Sequence, residues 1–110
     1  MPYDEDLANR IRELLGEEDG ISEKKMFGGL AFLVGGHMSV CASGSGGLLA
    51  RIERGESEAA LKREHVTLMQ MGGRTMRGWL RVAPEGLRTK RELASWVRRS
   101  VAYARTLAPK

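Results

Sequence analysis

Paired glycines constrain this chain more than any other feature. Gly28-Gly29, Gly35-Gly36, Gly46-Gly47 and Gly72-Gly73 cut its apolar residues into short runs. Lacking a Cβ, glycine enters backbone conformations closed to other residues and admits a neighbouring chain closely, so such pairs mark bends and tight turns. Beside them lie 25–27, 30–34, 37–42 and 48–52, too short for helices and the right length for strands. Gly35-Gly36 fits a two-residue hairpin, and Ser43-Gly44-Ser45-Gly46-Gly47 a longer connection. The latter lacks the Gly-Lys-Ser/Thr ending of a phosphate loop and leads into a strand rather than a helix.

Helical periodicity is confined to other segments. From Asp4 to about Gly16, Leu7, Ile11, Leu14 and Leu15 share one helical face, with acids in the first turn where the macrodipole favours them. A short helix is expected over 56–64. Residues 65–71 are assigned no element, Met69-Gln70-Met71 being placed at a loop or interface. Another strand runs from Met76 to Val82 and stops before Pro84. Thr89-Lys90-Arg91-Glu92 reads as a capping box opening a last helix to about Leu107, with Leu93, Trp96, Val97, Val101 and Ala104 inward. The expected fold is α+β in two layers: an antiparallel sheet of about five strands with N-terminal and C-terminal helices packed on it.

A length of 110 residues suits one domain, taken as 1–110, and 42% hydrophobic with 29% charged residues matches a soluble globular protein. The acidic N-terminus is unlike a secretory signal, and no apolar run approaches the roughly 18 residues of a membrane span. A lone cysteine, Cys41, agrees with a reducing compartment, so the cytoplasm is expected. Charge is segregated: residues 1–23 hold eight acids against two bases, and residues 74–110 ten bases against two acids. The two ends can attract each other within a monomer or across a homodimer, or the basic end can steer an acidic partner.

Chemistry-bearing residues are few. His37 and Cys41 would share a face of a regularly alternating strand, but a zinc site needs three or four ligands, and only His65 and a distant carboxylate remain to complete it. Neither a catalytic cysteine nor a carboxylate pair at Glu17, Glu18, Asp19 and Glu23 has the surroundings its chemistry needs. No cofactor is expected. Trp79, Trp96 and the methionines read as packing residues. Lys24, Lys25, Arg74 and Arg77 form a candidate cationic surface for a protein or nucleic-acid partner, without any helix-turn-helix or finger signature.

The run Lys24-Lys25-Met26-Phe27-Gly28-Gly29, then Gly36-His37-Met38, Met76-Arg77-Gly78-Trp79 before Pro84, and Trp96 on an alanine-spaced last helix resembles the N-terminal domain of the TfoX/Sxy family over nearly the whole chain. The resemblance implies a curved antiparallel sheet with packed helices and a stand-alone, non-enzymatic module related to regulators of natural competence that act beside the catabolite activator protein. It carries over no catalytic residue. It marks Lys25, Met26, Phe27, Gly28, Gly29, Trp79 and Trp96 as fold-setting and suggests partners in the transcription machinery. A different function would be a small-molecule site or enzyme with a pocket between sheet and helices near His37 and Cys41.

Overall fold

Each terminal helix carries its own start signal. Asp4 caps α1 (Glu5–Leu14), its carboxylate accepting from the amides of Asp6 and Leu7, and Leu7, Ala8 and Ile11 are buried. Thr89 caps α3 (Lys90–Arg105) through a full capping box with Glu92, and Leu93, Trp96, Val97, Val101 and Ala104 form its buried stripe as the periodicity predicts. The computed structural model describes residues 3–26, 28–71 and 73–107.

Between these helices the chain forms β1 (Ile21–Met26), β2 (Gly29–Val34), β3 (His37–Ala42), β4 (Leu48–Arg51), a short helix α2 (Ser57–Ala60), β5 (Val66–Met71) and β6 (Arg74–Val82). All pairings are antiparallel, and the sheet order is β1-β2-β3-β4-β6-β5. The sheet therefore has six strands rather than about five, the additional one, β5, being held in place by its pairing with β6. The short helix is also briefer than 56–64, being preceded by a 3-10 turn over Arg54–Glu56.

The glycine pairs act through different physics. Gly35 and Gly36 both take positive φ, 58° and 86°, as a two-residue hairpin between Val34 and His37 requires. Gly28 has φ 72° with open space around it, whereas a Cβ on Gly29 would lie 2.1 Å from the Ala42 carbonyl oxygen. One supplies a turn and the other a close approach. Phe27 lies outside the described residues.

Helices pack on one face of the sheet. There Leu30, Phe32, Val40, Leu48, Ala50, Leu80 and Val82 meet Ile11, Leu93, Trp96 and Val97 in the main core. Trp96 is enclosed further by the guanidiniums of Arg63 and Arg99, 4.5 and 5.8 Å from its ring centroid. The acidic and basic ends of the chain also meet here. Arg105 of α3 pairs with Glu18 at 2.9 Å and donates to the Asp19 carbonyl, so part of the charge segregation is spent within the molecule.

Candidate functional site

The other face of the sheet is built differently. Ala31, Met38, Cys41, Leu49 and Met69 are buried there, with Met26, Leu33, Met76 and Trp79 packed against them, and every one of these residues belongs to a strand. Met26, Met38, Met69 and Met76 all sit on this face. With no helical residue in the cluster, long flexible side chains cover the short ones beneath.

Two irregularities shape it. Phe32 pairs with Val40 but Leu33 pairs with Met38, so Ser39 is an extra residue in β3. Its hydroxyl donates to the Phe32 carbonyl at 3.0 Å, meeting a polar demand that the interrupted ladder creates. Because of this bulge, Met38 rather than His37 shares the face of Cys41. Regular alternation would have set Ser39 and His37 on the face of the thiol. Among the described residues no group of three or more His, Cys, Asp or Glu is arranged to hold a metal. Burial pushes the Cys41 thiol up to about 11, and its Sγ lies 3.6 Å from the Ala42 carbonyl oxygen. Such a thiol is neutral and enclosed, the opposite of an activated nucleophile.

The second irregularity lies in β6. Leu80 pairs with Leu68 and Met76 with Met69, so residues 77–79 have no partner in β5. Gly78 takes φ 85° at the bend, its amide donating to the Ser57 hydroxyl oxygen at 2.8 Å and its carbonyl accepting from the Ile52 amide at 2.8 Å. A Cβ there would come within 3.1 Å of the Ile52 carbonyl oxygen. The bend leaves Trp79 paired with Arg51, whose guanidinium lies 5.0 Å from the indole centroid and 5.5 Å from that of Tyr103.

Pairing then lines up one residue from every strand. Lys24 faces Ala31, Ala31 faces Cys41, Cys41 faces Leu49, Leu49 faces Arg81 and Arg81 faces Thr67. Paired residues point to the same side of a sheet, so this row has an apolar middle and a cation toward each side. Arg51 pairs with Trp79 at the edge of this face, its guanidinium lying between that indole and Tyr103 of α3, and Arg74, two residues from Met76 in β6, joins the face at the hairpin end. The single acid within the strands, Glu23, pairs with Phe32 and so belongs to the helix side, where Arg12 binds it at 2.8 Å. Among the described residues, Lys24, Arg51, Arg74 and Arg81 have no carboxylate partner; Arg81 donates instead to the hydroxyl and carbonyl of Ser45.

The four expected partner-binding cations are thus divided. Lys24 and Arg74 lie on the helix-free face, while Lys25 pairs with Leu30 on the helix side and Arg77 bonds Glu58 of α2 at 2.9 Å. All four are exposed. Of the expected fold-setting residues, Met26 and Trp79 pack on the helix-free face and Trp96 in the main core. Arg81 is legible in the sequence as a basic residue of the β6 strand, whereas Arg51 escapes it, since only the register sets Arg51 beside Trp79 on this face. Away from this face, a cavity of about 290 Å³ opens between α1 and α3, lined by Leu14, Leu15, Val97 and Val101 with Arg98 and Arg105 at its edge.

A model of the TfoX N-terminal domain matches residues 13–104. The chain belongs to the TfoX N-terminal domain family. The match runs from within α1 to the last turn of α3 and takes in every strand of this TfoX domain. No curated protein and no solved structure matches the chain.

Proposed function

We propose that this TfoX domain is a non-enzymatic interaction module, a transcriptional co-regulator that works by contacting other macromolecules through the helix-free face of its sheet. One observation carries the reading: on a sheet face with no helix, half-buried Met26, Leu33, Met76 and Trp79 are flanked by cations that lack carboxylate partners among the described residues. Flexible thioether side chains suit a surface that must adapt to what it touches. The enclosed, neutral Cys41 supports binding rather than chemistry. We place the domain in the cytoplasm, in keeping with its single cysteine; among the described residues no helix is long and apolar enough to cross a membrane.

The test is capture from native lysate, with and without nuclease, comparing the wild-type chain with the double variant Lys24→Glu/Arg74→Glu. Both positions are exposed, so the variant should fold. Retention of a defined partner by the wild type and its loss in the variant is the expected result. Empty capture, or capture indifferent to the two substitutions, would overturn the reading. Homodimerisation through the edge strands β1 and β5 is checked separately by the scattering mass at low and high salt.

A further inference from the structure

The geometry points to an acidic amphipathic helix of another protein as the occupant of the helix-free face, an assignment that rests on the interaction-module reading and specifies its partner. Lys24 and Arg81 stand at either side of the apolar middle of one row, four strand spacings apart, or about 19 Å. Between them Ala31, Cys41 and Leu49 are buried with Met38 and Met69, and half-buried Met26, Leu33, Met76 and Trp79, packed against them, are the apolar surface left to a partner. A helix of about 13 residues spans that distance at 1.5 Å per residue. With leucine-like residues on one side and carboxylates toward both ends, it would bury apolar surface on the methionines while supplying the counter-charges that Lys24, Arg51, Arg74 and Arg81 lack among the described residues.

A nucleic acid fits the same surface poorly. Duplex DNA carries one charge per about 1.7 Å of axis, so a 19 Å span brings about eleven phosphate charges to four cations separated by an apolar floor. Phosphates held over that floor would lose water without gaining a partner. Stacking offers little compensation, because the one indole on this face, Trp79, is half-buried and already covered by Arg51.

The methionines supply the readout. With methyl-13C methionine incorporated into the whole chain, three probes are titrated: a helix-forming peptide of about 14 residues with leucines on one side and glutamates at both ends, its counterpart with lysines for glutamates, and a duplex of about 20 base pairs. The acidic peptide should shift the methyls of the half-buried Met26 and Met76 most, and the lysine peptide should not. Lys24→Glu/Arg74→Glu should weaken the acidic peptide about tenfold, the scale of two exposed ion pairs. Arg88→Glu/Arg91→Glu, which removes equal charge at the start of α3, should leave its affinity within about twofold if the effect is local rather than a matter of net charge. Silent methyls, equal response to both peptides, or a stronger response to the duplex would overturn the inference. Nuclease-sensitive lysate capture together with silent methyls would remove the acidic helix and keep the interaction module; empty capture would remove the module itself.

Discussion

At the scale of single residues, neighbouring glycines have different tasks. Gly28 needs a positive φ in open space, and Gly29 needs the absence of a Cβ against the Ala42 carbonyl. Gly28→Ala should therefore cost about 1 kcal/mol, the penalty of an unfavourable backbone region. Gly29→Ala must displace the end of β3 and should cost about 2–3 kcal/mol, on the scale of overpacking. Urea unfolding of the two variants separates them, and equal midpoints would contradict this division. A bend at Gly28-Gly29 is legible in the sequence, but the division is not, because the carbonyl that forbids a side chain comes from another strand. Cys41 offers a second check. An unfolded chain ionises this thiol near 9.0, while the folded chain holds the proton to about 11. Between these values unfolding releases a proton, so rising pH erodes stability there and has no such effect below pH 9. Thiol labelling at pH 8 should track global unfolding; rapid labelling of the native chain would show that Cys41 is accessible.

At the scale of elements, start signals were more legible than strand ends. Asp4 and the Thr89–Glu92 box are local devices, complete within four residues, and the box appears where the sequence places it. Thr89→Ala should lower stability by about 1 kcal/mol, measured as a shift in denaturation midpoint without a change in slope. Strand β5 went unread because Val66-Thr67-Leu68-Met69-Gln70-Met71 combines two strong strand formers with residues of weaker strand preference, and no glycine precedes it. Its existence depends on β6, which lies beyond the next turn. The bulge at Ser39 is similarly invisible: a regular strand and a bulged one have the same composition, and only pairing with Phe32 shows that a residue has been added. That one residue decides whether Cys41 shares its face with Met38 or with His37.

Across the whole molecule, the sheet has a well-supported body and a slender projection. Strands β2, β3 and β4 are each paired on both sides and covered by α3, whereas Arg74–Met76 pair only with Met69–Met71. Two strands alone are marginal in water. Amide exchange should accordingly be slowest in β2, β3 and β4, and faster at 69–71 and 74–76 than in any other strand pairing, with Gly78 marking the change. Uniform protection along β6 would count against this. The overall α+β order and the helix-covered face followed from periodicity; the second face did not, since it exists only when six strands bring separated residues into line. That face is shared between the stiff body, which supplies Met38, Cys41 and Leu49, and the slender projection, which supplies Met69, Arg74 and Met76. A molecule that settled across both would act as a splint, and its arrival would be recorded as a quieting of the hairpin even where no atom of the body changed position.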